Sequence, residues 1–265
     1  MPSAADAAIQ SLRAVHDELA ARVAGYADAD LARPSGAAEW TVAQVLSHIG
    51  SGAEIALAGL EAARAGSPPP EQSFYQSVWD RWDAMTPRRQ ADGCVPSDAA
   101  LVESYEELDD TSRNSLRLDL PFLPEPVGLD LQAALRLNES TLHGWDVAVA
   151  DDTAATLNPT AVPLLVDALT GQMSFLVGFI GKSGGADGVL AVSTVDPDRQ
   201  LRLRFADLVV LEASAADAAD ATLTLPAEAL LRLLTGRLGA DHTPAGVTVT
   251  GPLDLAGLRA VFPGF

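Results

Sequence analysis

The stretch LNESTLHGWDVAVA, residues 137–150, sets three ionisable side chains into what is otherwise the apolar stripe of a helix. At about 100° per residue, His143 lies about 40° round from Glu139, and Asp146 about 20° the other way. Leu135, Leu142, Trp145 and Val149 fill the adjoining arc. A carboxylate at the flank of an apolar face is costly unless something compensates it. The i, i+4 spacing of Glu139 and His143 lets side chains on successive turns grip one ion, and it is equally the spacing of an ordinary helix-stabilising pair.

The chain has four histidines, at positions 16, 48, 143 and 242. His48, in VLSHIG, belongs to a second helical segment; carried across from a facing helix it would complete a set of two histidines and one glutamate. Three protein ligands with one position open form a catalytic zinc arrangement, and the same set suits non-haem iron(II). Asp146 would then accept from the His143 imidazole and fix its tautomer. No HExxH is present, so nothing points to a zincin protease. His16, beside the Leu12–Leu19 stripe, reads as a boundary or surface histidine, and His242, in GADHTPAG, as solvent-exposed. Arg81, between Trp79 and Trp82 in SVWDRWD, suits an anion clamp, although the tryptophans equally suit a core. Arg232 and Arg237 close a helix, where a cation complements the helix dipole. Cys94 is the single cysteine, which excludes an intrachain disulfide or a CxxC site. Its surroundings, ADGCVPSD, read as a turn-rich segment holding an unpaired thiol.

The elements that must carry these residues divide the chain at about residue 153. Before it, apolar spacing predicts a helix from about Ala4 to Gly25 and a second from Trp40 to Gly66. Thr41 and Gln44 form a capping box at the start of that second helix, with Trp40 and Val45 placed as a hydrophobic staple. A tryptophan-rich piece around SFYQSVWDRWDAM follows, then a helix from about Ser97. LDLPFLPEPVG reads as a proline-bearing crossover too long for a simple hairpin loop. The helix from about Asp130 carries the opening stretch. Four or so long helices with crossovers describe a bundle, whose sites are built from side chains on facing helices. After residue 153 comes a bridging helix over 159–180 and a glycine-rich turn, GKSGGADG. Strands are expected in GVLAVSTV, RQLRLRF, LVVLEAS, DATLTL and GVTVTG, with helices at PAEALLRLLTGRL and PLDLAGLRAVF. The fold class is α+β in two domains, 1–153 and 154–265.

With 265 residues and 48% hydrophobic content, the chain has ample core. A formal charge of −19 argues against a nucleic-acid partner, whose binding depends on phosphate neutralisation. No apolar run reaches the ~18 residues of a membrane span. The start MPSAADAAIQ lacks a signal peptide's basic opening and apolar block, so a cytoplasmic protein is expected.

EWTVAQVLSHIG resembles the W-T-V-x-x-V-L-x-H signature of the mycothiol-dependent maleylpyruvate isomerase family, itself similar to DinB-like bundles. LNESTLHGWDVAVA resembles that family's E-x-x-x-H-x-W-D segment. The run from DATLTLPAEALLRLLTGRL to PLDLAGLRAVFPGF resembles its small α+β domain, similar to sterol-carrier-type folds. The resemblance implies a zinc-type divalent metal on His48, Glu139 and His143, which would make Glu139 tolerable at the core flank. It also implies mycothiol as thiol cosubstrate and a small-molecule substrate. A metal-bound thiol is deprotonated, and the thiolate can add to an alkene conjugated to a ketone. Rotation and elimination then return the trans alkene. Arg81 first and Arg237 second are the residues expected to clamp substrate carboxylates, from charge and placement alone. The same first step serves a thiol S-transferase, and a non-catalytic binding module is the alternative outside enzymology. Oligomeric state is not legible.

Overall fold

The structure, a computed structural model, describes residues 3–184, 187–214 and 218–264. Gly185 and Ala186, within the expected glycine-rich turn, lie outside the described residues. The chain forms two compact units, Met1–Asp152 and Thr153–Phe265.

The first unit is helical, in the order α1 (Ala4–Val23), α2 (Asp28–Leu31), α3 (Val42–Ala65), α4 (Gln72–Asp83), α5 (Pro87–Glu106), α6 (Asp110–Ser115) and α7 (Leu129–Ala148). Between α6 and α7, β1 (Arg117–Leu118) pairs antiparallel with β2 (Val127–Gly128), so the ends of the proline-bearing segment close on each other instead of crossing over unpaired. Helix α3 starts where the capping box requires: Thr41 Oγ1 accepts from the Gln44 amide at 3.3 Å, and Gln44 Oε1 accepts from the Thr41 amide at 2.8 Å. It stops at Gly66, whose φ of 63° is the left-handed conformation glycine adopts without steric cost. Leu19, Val23, Leu31, Val45, Leu46, Ile49, Ala91, Cys94 and Val147 form one buried cluster, which joins α1, α2, α3, α5 and α7.

Helix α5 corrects the sequence reading at one place. ADGCVPSD is helical, not a turn, because the helix begins ten residues before Ser97 at the Thr86 cap, with Pro87 in its first position. Gly93 and Pro96 therefore sit inside a helix. A Cβ on Gly93 would stand 3.2 Å from the Trp82 ring, so the missing side chain leaves room for the edge of that ring. Cys94 is wholly buried, and burial pushes its thiol pKa up, which leaves it unreactive.

In the second unit the expected bridging helix is two, α8 (Ala161–Leu169) and α9 (Ser174–Ile180), bent by 78°. They precede β3 (Gly188–Val195), β4 (Arg199–Phe205), β5 (Val210–Glu212), β6 (Ala221–Pro226), α10 (Ala227–Leu234), β7 (Thr248–Thr250) and α11 (Leu255–Val261). The strands form one sheet in the order β5-β4-β3-β6-β7. Strands β3 and β6 are parallel and the other pairs antiparallel. Alternation along β6, with Ala221, Leu223 and Leu225 inward and Thr222 and Thr224 outward, gives a sheet buried on one face. Among the described residues no single helix is long and apolar enough to cross a membrane.

Candidate metal centre

Helices α3 and α7 bring His48, Glu139 and His143 together. One ligand atom from each lies within 4.8 Å of the others. His48 Nε2 is 3.3 Å from Glu139 Oε2, and His143 Nε2 is 3.6 Å from the same oxygen. The two imidazole centroids are 4.6 Å apart, edge to face. The 91 residues between His48 and Glu139 mean that only the tertiary fold supplies this approach.

The far side of His143 is fixed by Asp146, a fully buried carboxylate whose Oδ2 lies 2.8 Å from His143 Nδ1. That partner orients the imidazole, with Nδ1 toward Asp146 and Nε2 toward Glu139. The loop before α3 braces the same residue through its main chain. The Gly36 amide donates to the Asp146 carbonyl at 2.8 Å, and a Cβ on Gly36 would stand 2.9 Å from Asp146 Oδ1. Only glycine lets the loop come so close. At the end of that loop Trp40 stacks on His143 at 6.1 Å and tilts against His48 at 5.3 Å, so it roofs both imidazoles.

Charge follows from this packing. Desolvation pulls the Glu139 carboxyl upward, yet hydrogen bonds and positive charge from His143 and His48 outweigh it and hold the group well below the usual carboxylate range, although half its side chain is open. Desolvation likewise pushes His143 down, but Asp146 and Glu139 prevail and raise it. The result is a two-histidine, one-carboxylate cluster in which both imidazoles face one carboxylate oxygen. That donor set fits a zinc-type divalent cation.

The other residues singled out in the sequence are placed differently. Arg81 is paired with Glu54, which also accepts from the Trp82 indole at 3.0 Å. Trp82 is buried, whereas Trp79 is exposed. Arg237 lies in the second unit, where its guanidinium donates to the Thr235 carbonyl at 3.2 Å. Arg232 is buried against Glu228 and the His242 carbonyl. His242 is half-buried, with Nδ1 3.3 Å from the Thr153 carbonyl.

His16 is not a surface residue. It is buried with Nδ1 2.9 Å from Asp98, itself buried, and Asp98 accepts at 2.9 Å from Arg136. Arg136 also donates to the Ile49 carbonyl at 2.9 Å, on the residue next to His48. Desolvation would raise the Asp98 carboxyl, but His16 and Arg136 keep it below the usual range. Sequence reasoning passed over Arg136 and Asp98. The one available signal was Arg136 itself, a cation three residues before Glu139 in an otherwise apolar run.

Comparison with known proteins follows the same lines. Residues 12–148 match the mycothiol maleylpyruvate isomerase N-terminal domain, and residues 164–258 match the family's C-terminal domain. No curated protein matches the chain. Two crystal structures share its fold: one of a mycothiol-dependent maleylpyruvate isomerase, at 15% identity and TM-score 0.67, and one of a mutant of such an isomerase, at 14% and 0.66. Each alignment covers 96% of this chain and 95% of the other.

Proposed function

Because the chain belongs to the mycothiol maleylpyruvate isomerase family, a family of enzymes, we propose that it is a cytoplasmic, divalent-metal- and mycothiol-dependent isomerase acting on a maleylpyruvate-like cis alkene. The observation that carries the metal part is the convergence of His48, Glu139 and His143 from two helices, with their ligand atoms within 4.8 Å. Ordinary helix-surface pairing accounts for Glu139 with His143, but not for the arrival of His48. A divalent cation held by His48, Glu139 and His143 would supply Lewis acidity to a bound thiol at neutral pH.

The chain's own residues do the rest. Asp146 orients the His143 imidazole, with Nε2 on the ligand side. Trp40 covers one side of the imidazole pair. Glu139 offsets part of the positive charge of the centre while half its side chain remains open, so small molecules can reach it.

The test is cis-to-trans conversion of maleylpyruvate by the purified protein, with and without mycothiol, in wild type and His48→Ala. Conversion that needs both the thiol and His48 supports the reading. A stable thioether with no trans product would identify a thiol S-transferase. No change in the substrate under any condition would refute the enzyme assignment to this substrate class.

A further inference from the structure

Three successive backbone carbonyls of α3 accept hydrogen bonds from side chains, and the first belongs to His48. Ser51 Oγ donates to the His48 carbonyl at 3.2 Å, Arg136 Nη2 to the Ile49 carbonyl at 2.9 Å, and Ser97 Oγ to the Gly50 carbonyl at 2.8 Å. A mid-helix carbonyl ordinarily accepts only from the amide four residues on, although its oxygen has a second lone pair. The turn that carries His48 is therefore held from outside its own helix, by α5 through Ser97 and by α7 through Arg136. Two glycines in that turn make the approach possible. A Cβ on Gly52 would stand 2.9 Å from Arg136 Nη1, and one on Gly50 would stand 2.2 Å from the Trp82 ring.

Of these ties, the one from Arg136 concerns the metal centre, because its helix also carries Glu139, one turn on, and His143. The two N–H bonds of Nη2 match its two acceptors, Asp98 Oδ1 and the Ile49 carbonyl, each at 2.9 Å. Asp98 is held in turn by His16 Nδ1. One chain of buried contacts thus runs from α1 through α5 and α7 to the residue after His48. The guanidinium is planar and rigid, so it fixes where its two acceptors stand relative to each other. Metal–ligand distances tolerate only about 0.2 Å. A displacement of α3 against α7 too small to disturb the core is therefore enough to unseat one ligand.

We propose that Arg136 is a positioning residue for the metal centre: by donating to the Ile49 carbonyl it sets the distance of His48, on α3, from Glu139 and His143, on α7. The proposal rests on the metal-centre reading. It separates two roles within one buried network. Asp98 supplies the charge that makes the guanidinium tolerable, and stability depends on it. The bond from Arg136 to Ile49 supplies placement, and coordination depends on that.

The experiment measures stability and coordination side by side. Urea denaturation gives the first. Zinc affinity in chelator competition gives the second, together with the visible absorption band of the cobalt(II)-loaded protein, which reports the geometry of the ligand set. Asp98→Asn leaves the bond from Arg136 to Ile49 in place; it should lose stability yet bind zinc within about twofold of wild type, with the cobalt band unchanged. Arg136→Met should bind zinc roughly tenfold or more weakly, the scale set by outer partners of a metal site, with the band displaced or weakened. That variant leaves Asp98 buried without its cation and can fail to fold. The deciding variant therefore combines His16→Leu, Asp98→Leu and Arg136→Met, which removes every charge of the network. It should regain most of the stability and still show the weak zinc affinity and the altered band. Affinity that follows stability instead, lost in Asp98→Asn or regained in the triple variant, overturns the proposal and leaves the metal reading standing. A wild type that takes up neither zinc nor cobalt overturns the metal reading, and the proposal with it.

Discussion

Replacing Asp98 with asparagine changes almost no volume and removes one charge from the interior. Asp98 is 2% exposed, His16 6% and Arg136 8%, so the carboxylate is nearly the whole compensation for a guanidinium held away from water. The amide can still accept one hydrogen bond from Arg136, but it leaves the cation uncompensated. Breaking a buried ion pair by removing one partner costs about 3–5 kcal/mol. That is a large fraction of the roughly 5–15 kcal/mol by which domains are stable. At about 2–4 °C per kcal/mol for a chain of this size, the midpoint should fall by roughly 6–20 °C. The pH dependence is a second check. The Asp98 carboxyl is depressed in the folded protein, so its contribution is complete above the unfolded value near ~4 and is lost as pH falls through the lower folded value. The gap between wild type and Asp98→Asn in urea denaturation should stay constant above about pH 5 and narrow below about pH 4. Replacing all three residues together with apolar ones of similar size should recover most of the loss. A loss under about 1 kcal/mol, or a gap still undiminished at pH 3, would refute the assignment of Asp98 as the charge that makes Arg136 tolerable.

Three further outcomes follow from the geometry. Asp146→Asn removes the charge behind His143 Nδ1 and should weaken metal binding about 10- to 100-fold in chelator competition, with the fold retained; unchanged affinity would deny Asp146 its orienting role. Gly50→Ala places a Cβ 2.2 Å from the Trp82 ring, which is fixed by the Glu54 hydrogen bond and backed by Gly93. Overpacking of about 1–3 kcal/mol should outweigh the ~1 kcal/mol that alanine brings to a helix, and a rise in denaturation midpoint would contradict this. Gly36→Ala should shift the loop from Asp146 and lower both stability and metal affinity, and a variant with wild-type affinity would show that the close approach is incidental.

What the sequence discloses here, and what it hides, divides along physical lines. Thr41 and Gln44 announce the start of α3 because a capping box is satisfied within four residues. The Glu139–His143 spacing is legible for the same reason, since both lie on one helix. Helix α5 is obscured because Gly93, Pro96, Ser97 and Asp98 are turn-formers by local preference. They are helical here because a cap at Thr86 starts the helix early and Trp82 packs on Gly93. The bend between α8 and α9 is likewise missed, because the apolar residues of 161–180 continue past the break. His16, Asp98 and Arg136 are the hardest to read. Each is tolerable inside only because a partner arrives from another helix, 82 residues away for His16 and 38 for Arg136. Sequence taken alone sends such residues to the surface. The roof made by Trp40 is hidden for a related reason: position before the cap predicts a contact within α3, whereas the structure turns the ring onto the imidazoles of two helices.

Elemental analysis of the protein purified without chelators, for wild type and His143→Ala, tests the central claim most directly. The account predicts near-stoichiometric divalent metal in wild type and its loss in the variant, with the helical content of both unchanged. No metal in either protein, even after reconstitution with zinc, would contradict the claim that His48, Glu139 and His143 form a metal centre.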